Sequence, residues 1–506
     1  MKLLKIVFSR ATFMVLIVLM EAVILFGLLR NFYASFAWIE SALRIFSAVI
    51  VLQIIRTSRH LSSDLMWIVI IMVFPVPGAF AYIFLGANRL SSKTLWKIVI
   101  STINAAKYYR QDPEVLREME ERNPSLRGQF RYIANGAKFP FYRNTGFDYY
   151  GLGEDGYPVM LEELRKAERF IFLEYFIIKE GRMWDGILQI LEEKAKQGLD
   201  VRVMYDDMGS FTTLSAGYAK RLEKRGVKCV SFNRIHPILN AVMNHRDHRK
   251  IMVIDGKTAF SGGVNLADEY INVNSPYGHW KDNVIRVTGD AVWSFTVMFL
   301  THWNAVRKED ENFETFRSDP ISGAADGYIS PYGGTPFGDE ITAQNIYMDI
   351  LNQSNDYCYI CTPYLIIDTE MINALILAAR RGVDVRILTP GIPDKKLVWD
   401  VTKSFYKTLI SGGVRIYEYT PGFVHAKVFV SDDQIATVGT VNLDYRSLYL
   451  HFENGAYLYG SEKIGDIKRD YLDALSRSHE MTLKESSFGP LKTFGLSVIR
   501  IFAPLL

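Results

Sequence analysis

The stretch "NHRDHRKIMVID", residues 244–255, sets two histidines, two arginines, a lysine and two aspartates around the apolar run Ile251–Ile254. Its skeleton, His-x-Lys-x-x-x-x-Asp, returns in "GFVHAKVFVSDD", residues 422–433. Histidine and lysine are two apart in both copies, so on an extended strand they share a face, and the apolar residues after them anchor the strand in a core. The second motif histidine lies 177 residues after the first, and the same offset carries Gly262 to Gly439 and Asn265 to Asn442. One match to so short a motif carries a high false-positive risk. Two, each followed by Gly-x-x-Asn at equal distance in a chain with nine histidines, mark an internal repeat.

The repeat extends upstream of each motif. "RFIFLEYFII" (169–178), "ILQILEEKAKQG" and "LDVRVMYDD" match "CYICTPYLII" (358–367), "INALILAARRG" and "VDVRILTPG". Each copy reads strand, helix, strand, with Gly198 or Gly382 where a left-handed helix cap is wanted. Two homologous halves of an α/β fold are the expected architecture. Downstream, "SGGVN" and "VGTVN" bring small residues and an amide to a strand end, which permits close backbone approach to an anion. A further element, "WKDNVIRV" (280–287) and "FENGAYLY" (452–459), sets an acid beside an asparagine at the start of a strand. Asp282 and Glu453 are therefore candidates to orient the histidines.

The 506 residues exceed one ordinary domain, and 49% hydrophobic with 22% charged content suffices for large cores. A formal charge of +3 gives no global basic field, which leaves any anionic partner to local charge and counts against a nucleic-acid binder. Cys358 and Cys361, three apart on a strand, point to opposite faces, so burial is expected rather than a disulfide or a zinc pair. His245 and His248 are three apart, but His425 has no such companion, so no metal site is expected. Asp206 and Asp207, at the C-terminal end of a strand, read equally as site residues and as caps.

Apolar residues concentrate near the N-terminus. "ATFMVLIVLMEAVILFGLL" (11–29) is long enough to span a bilayer, with Lys2, Lys5 and Arg10 before it. "YASFAWIESALRIFSAVIVLQII" (33–55) is a weaker span, in which Glu40 and Arg44 could pair on one helix face. "LMWIVIIMVFPVPGAFAYIFLG" (65–86) must kink or break at Pro75-Val76-Pro77-Gly78, giving a kinked span or a re-entrant hairpin. Basic residues flank it on both sides, so charge does not fix the topology. The tail "LKTFGLSVIRIFAPLL" places Phe494, Val498 and Ile501 on one helical face, with Lys492 and Arg500 to meet anionic headgroups.

"NHRDHRKIMVIDGKTAFSGGVNLADEY", "TPYLIIDTEMINALILAARRGVDVRIL" and "GFVHAKVFVSDDQIATVGTVNLDYRS" resemble the phospholipase D superfamily with its two HKD motifs, and more closely the bacterial cardiolipin synthases. The resemblance covers nearly the whole chain, the segment 65–86 included. Departures are Asp247 where an asparagine is familiar, His451 and Gly455 in a usually more apolar stretch, and an extra apolar segment before the hairpin.

The resemblance implies two phospholipase D-like halves packed as a pseudo-dimer after N-terminal transmembrane helices, in a multi-pass bacterial cell-membrane protein. The implied organisation is a membrane anchor over 1–88, a linker over 89–135, halves over 136–325 and 326–486, and an amphipathic tail over 487–506. His248, Lys250, Asp255, His425, Lys427 and Asp432 form the implied catalytic set, with Asn265, Asn442, Asp282 and Glu453 supporting the phosphate. A phosphodiester repels nucleophiles, so lysines and amides must neutralise its oxygens while one imidazole attacks phosphorus and the other protonates the leaving alkoxide. The resemblance makes His248 the nucleophile and His425 the acid/base, with no cofactor. The implied substrates are phosphatidylglycerol and other membrane phospholipids, not nucleic acid. A membrane-bound hydrolase of the same superfamily, or another phosphatidyltransferase, is the alternative.

Overall fold

The computed structural model describes residues 20, 27, 37–57, 61–86, 93–235, 244–319, 326–338 and 340–503. These fall into two compact units. One comprises 1–92 with 234–245 and 497–506, and the other 93–233 with 246–496.

In the smaller unit the expected span 65–86 does not run straight. Helix Leu61–Val73 ends, Phe74 takes φ −127° and ψ 77°, and helix Pro75–Ala81 restarts with proline in its first turn before a π-helical turn, Tyr82–Gly86. A Cβ on Gly78 would lie 2.8 Å from the Ile70 carbonyl oxygen and 2.9 Å from the Ile71 Cα. Residues eight apart in one straight helix would be about 12 Å apart, so the chain doubles back as a hairpin. Helix Ala37–Thr57 supports the turn: Ser47 Oγ donates to the Pro75 carbonyl at 2.6 Å, and Ile54, Met66, Trp67, Ile71 and Ala79 share a core, with Ile501 packed against it. Among the described residues no helix is long and apolar enough to cross a membrane. Proline divides 65–86 into short helices, Glu40, Arg44 and Arg56 interrupt Ala37–Thr57, and most of 11–29 and the Glu40 side chain lie outside the described residues.

The larger unit is built on two mixed sheets. The first holds β1 (Thr145–Tyr150), β2 (Phe170–Tyr175), β3 (Asp200–Asp206), β4 (Lys228–Phe232), β5 (Lys250–Ile254), β6 (Thr258–Gly262) and, after the short β7 (His279–Lys281), β8 (Val284–Gly289). Its order is β1-β8-β6-β5-β2-β3-β4, with β2-β3-β4 parallel and the rest antiparallel. The second half supplies β9 (Tyr328–Gly334), β10 (Tyr357–Cys361), β11 (Leu365–Ile366), β12 (Asp384–Pro390), β13 (Arg415–Tyr419), β14 (Gly422–Val424), β15 (Val428–Ser431), β16 (Ile435–Gly439), β17 (Leu443–Asp444), β18 (Glu453–Tyr459) and β19 (Ser478–Glu480). Its sheet, β19-β13-β12-β10-β15-β16-β18-β9, repeats the first strand for strand and adds β19 at one edge. Gly198 and Gly382 take φ of 92° and 99° after their helices, the left-handed cap their positions predicted.

Of the residues expected as a linker, 93–135 are folded. Helix Lys93–Ala105 packs on helix Val292–Arg307, and helix Pro113–Arg122 is capped by Asp112, whose carboxylate accepts from Glu114 N at 2.9 Å. Phe130 then packs against Tyr459 of the second sheet. All three cysteines are buried and unpaired.

Candidate active site

The motif strands carry their histidines to the seam between the halves. His248 precedes β5, and its N–H donates to the carbonyl of Phe452, the residue before Glu453, at 2.9 Å. His425 precedes β15, and its N–H donates to the carbonyl of Lys281, the residue before Asp282, at 2.8 Å. Strand β14 runs parallel to β7, and Asp247 bridges to Phe452 in the same sense. Each histidine is therefore held by the opposite half. His248 Nδ1 lies 2.9 and 3.0 Å from the two oxygens of Glu453, and His425 Nδ1 lies 2.7 Å from Asp282 Oδ2. A carboxylate on Nδ1 fixes that nitrogen as the N–H donor and leaves Nε2 for chemistry. Both histidines are buried, each residue 7% exposed.

The lysines turn back toward these rings. Lys250 Nζ donates to the His248 carbonyl at 2.7 Å; Lys427 Nζ donates to the His425 carbonyl and sits 2.8 Å from its Nδ1. Asn454 spans the seam, accepting from Lys250 N at 3.2 Å and donating to Ser261 Oγ at 2.7 Å. Asn265 accepts from Ile177 N at 3.0 Å and donates to the Tyr270 hydroxyl at 2.8 Å, while Asn442 is buried with no protein partner for Oδ1.

Two members of the expected catalytic set, Asp255 and Asp432, stand apart from the histidines and accept from backbone N–H groups. Asp255 accepts three backbone N–H bonds, from Glu168, Arg169 and Phe170, each at 2.8 Å. Asp432 accepts from Asn355, Asp356 and Tyr357 at 2.8, 3.1 and 2.9 Å. Both sit in left-handed turns, at φ 55° and 52°, at the far end of the motif strand from the histidine. Three backbone donors engage each carboxylate, so these residues fasten a strand end to the preceding β2 or β10. Asp206 proves to be a cap, accepting from Met208 N at 2.8 Å, Gly209 N at 3.0 Å and Asp247 N at 3.0 Å.

Other contributors were not singled out in the sequence. Thr440 Oγ1 donates to Glu453 Oε2. Phe176 meets His248 edge-on with ring centroids 4.9 Å apart, and Tyr270 meets His425 likewise at 5.4 Å. A buried trio beneath the first motif joins Glu174 to His302 Nδ1 at 2.8 Å and places Asp247 3.5 Å from that nitrogen. This trio, and His248 with His451 and Glu453, are the described groups whose ligand atoms lie close enough together to hold a metal ion.

Burial dominates the electrostatics. It lowers His248 to about 3 despite Glu453, and lowers His425 to about 4, helped by Lys427 and opposed by Asp282. Burial likewise lowers Lys250 to about 8 and Lys427 to about 7, with the acids opposing. Burial alone would raise the two acids, yet the histidines outweigh it and hold both below the usual carboxylate range. The seam thus holds neutral imidazoles, ionised acids and two ammonium groups ready to lose protons. An arriving anion would favour the protonated lysines and raise the imidazoles.

Two homologous α/β halves, each lending a His-x-Lys strand and an acid to its neighbour's histidine, define a phospholipase D-like protein. Comparison agrees. Residues 160–287 and 347–474 each match the model of the cardiolipin synthase phospholipase D-like domain, and 43–86 match the phospholipase D-nuclease N-terminal model. A cardiolipin synthase from Alkalihalophilus pseudofirmus is 34% identical over 84% of this chain and 85% of its own, and one from Halalkalibacterium halodurans 31% identical over 90% and 92%. A solved structure of phosphatidylserine synthase from Haemophilus influenzae has TM-score 0.54 at 15% identity, covering 71% of this chain and 94% of its own, a likeness of fold. The chain belongs to the cardiolipin synthase family.

Proposed function

We propose that the protein transfers a phosphatidyl group from one phosphatidylglycerol to the glycerol hydroxyl of another, yielding cardiolipin and free glycerol. The observation that carries this reading is the pair of imidazoles, each oriented by a carboxylate through Nδ1 and flanked by a lysine. The similar synthases named above support the substrate. Helix Lys93–Ala105 adds support for a lipid surface: Trp96, Ile100 and Ile103 are exposed beside Lys97.

In the first step Nε2 of His248 attacks phosphorus, and the bond from phosphorus to the headgroup oxygen breaks. His425 gives its Nε2 proton to the departing glycerol alkoxide. In the second step His425 takes the proton of the incoming lipid hydroxyl, whose oxygen bonds to phosphorus and displaces His248. Lys250 and Lys427, with Asn442, neutralise the nonbridging oxygens, and one such donor is worth about 3–4 kcal/mol of barrier. The acid needs a proton that burial disfavours, and the bound phosphodiester charge supplies the field that restores it.

The test is product analysis with purified full-length protein and headgroup-labelled phosphatidylglycerol. Cardiolipin with one glycerol released per cardiolipin is expected, and excess glycerol should drive cardiolipin back to phosphatidylglycerol. Phosphatidic acid and glycerol as the only products would establish the hydrolase instead.

A further inference from the structure

His451 stands two residues before Glu453, as Trp280 stands two before Asp282. Its ring centroid lies 5.7 Å from that of His248, its side chain is 10% exposed, and neither ring nitrogen has a protein hydrogen-bond partner. Glu453 Oε1 lies 2.9 Å from His248 Nδ1 and 3.8 Å from His451 Nδ1, while Thr440 holds the other oxygen, Oε2. A four-coordinate zinc ion keeps its nitrogen and oxygen ligands about 3.3 Å apart, so these two spacings bracket the one it needs. Two histidines and a glutamate, with water at the fourth position, are a zinc ligand set.

The neighbouring acid–histidine groups do not offer the same. At His425 the equivalent ring is Trp280, whose indole nitrogen is a donor only, and Lys427 Nζ lies 2.8 Å from His425 Nδ1. Lys250 turns instead to the His248 carbonyl. In the buried trio of Glu174, Asp247 and His302, Arg249 Nη1 lies 3.8 Å from Glu174 Oε1 and supplies a fixed positive charge. Glu453 and Asp444 are the acids that act on His451; Lys250, acting on His248, and Arg446, acting on Asp444, oppose a cation there. That balance disfavours a hard ion held by charge alone and leaves a borderline-soft one that bonds to imidazole nitrogen.

We propose that His451, Glu453 and His248 form an inhibitory site for a divalent transition metal of the zinc type. The inhibition follows from the tautomer. In the metal-free site His248 carries its proton on Nδ1, against Glu453, and Nε2 is free to attack phosphorus. A metal ion on Nδ1 takes that nitrogen's lone pair, so the neutral ring's single proton passes to Nε2. No proton is gained or lost, and the nucleophile is silenced.

The experiment uses purified full-length protein, freed of metal with a chelator and titrated with Co²⁺, then with Zn²⁺. One Co²⁺ per chain is expected, with the intense visible absorption of a four-coordinate ion, displaced by Zn²⁺. His451→Phe and His451→Asn should each lose that absorption, and Asp247→Asn, which alters the buried trio, should keep it. In parallel, headgroup release from phosphatidylglycerol in neutral detergent is followed with and without Zn²⁺, each variant against its own metal-free rate. Zn²⁺ taken up by the lipid acts on all of them alike. Wild-type kcat should fall about tenfold or more at saturating Zn²⁺, and that of the two His451 variants by less than about twofold. No absorption in wild type, absorption that survives in both His451 variants, or equal inhibition of all three overturns the proposal. The silencing rests on the reading of His248 as a reacting group. Because headgroup release is scored, a hydrolase gives the same readout, and failure of the synthase reading appears separately, in the lipid product.

Discussion

The two halves repeat one sheet, yet they hold their histidines by different means. In the first-half strand that faces His425 the acid is Asp282, short enough to sit against Gly263. A Cβ there would lie 1.9 Å from Asp282 Oδ1 and 2.8 Å from the His425 carbonyl oxygen. In the second half the acid is Glu453, one methylene longer, and the position 177 residues on from Gly263 is Thr440, whose hydroxyl donates to it. Asp282 instead accepts from Asn283 N at 2.9 Å. The imidazoles share a chemical form but not a setting: His425 stands among aromatic rings with a lysine against its Nδ1, and His248 beside one phenylalanine and a second imidazole. A duplicated site whose surroundings have diverged can give its copies different roles.

The largest expected effect breaks the symmetry outright. His248→Ala should remove turnover by about 10⁴-fold or more, since no nucleophile remains. His425→Ala should form the adduct and fail to release it, so acid-labile label accumulates on His248 in single turnover. Label on His425 in His248→Ala protein would exchange the two assignments.

Next comes the packing of the acids. Gly263→Ala places a methyl against Asp282 Oδ1 and the His425 carbonyl oxygen, so the Asp282–His425 pair must shift and kcat should fall about a hundredfold while the Glu453–His248 pair is untouched. Thr440→Gly, which makes the second half imitate the first, should lose far less. Equal losses in the two variants would mean that the acids are held alike.

The pH profile sharpens the comparison further. Lys427 and Lys250 are lowered to about 7 and about 8, so their charged forms are present below those values and lost as pH rises through them. kcat/KM, which reports the free enzyme, should therefore decline above about pH 4 as His425 loses the proton it must donate, and fall more steeply between about pH 7 and 8 as the lysines discharge. The residue beside His425 should titrate first, and Lys427→Arg, permanently charged, should move the fall upward by about one unit even at reduced activity. An alkaline limb that begins only near the ordinary lysine range would show the ammonium groups are better solvated than this geometry implies.

How much of this was legible in the chain follows from which interactions are local. The His-x-Lys strands, the duplicated sheet and the left-handed caps at Gly198 and Gly382 were readable because each depends on residues close in sequence or on an offset that repeats. That Glu453 serves His248 and Asp282 serves His425 was not, since pairing 205 and 143 residues apart is decided by how the halves dock. The motif aspartates could not be sorted from the histidines in the sequence, for the opposite reason. Asp255 and Asp432 recur with the histidines because the same turn must close each strand, and repetition alone cannot tell a turn from a catalyst. His451 was visible as a departure, and its place beside His248 depended on how the halves dock. The break at Pro75–Gly78 was readable from its prolines, whereas the choice of a hairpin over a kinked span depended on helix packing.

Asp255 and Asp432 give a prediction on stability rather than rate. Asp255→Asn and Asp432→Asn each weaken three charge-assisted backbone bonds and should lower unfolding free energy by about 1–3 kcal/mol, with folded protein retaining the wild-type pH profile. A Tm shift with an unchanged profile is the expected signature, and a shifted profile would return the aspartate to the reacting groups.

The smallest effect falls on Thr440. Thr440→Val keeps the volume and removes one hydroxyl donor from Glu453, whose other bonds, to His248 Nδ1, remain at 2.9 and 3.0 Å. The ionised acid loses one of its hydrogen bonds, worth about 1 kcal/mol, so kcat should fall about fivefold. The direction on His248 is also fixed: a carboxylate stripped of one donor is a stronger acceptor for the Nδ1 proton, which raises the imidazole toward its ordinary range. The acid limb of kcat/KM should therefore move upward in Thr440→Val, and no variant confined to the His425 side should move it. If kcat falls and the acid limb stays in place, Thr440 packs the strand without tuning the base, and the difference between the halves at this position is one of space alone.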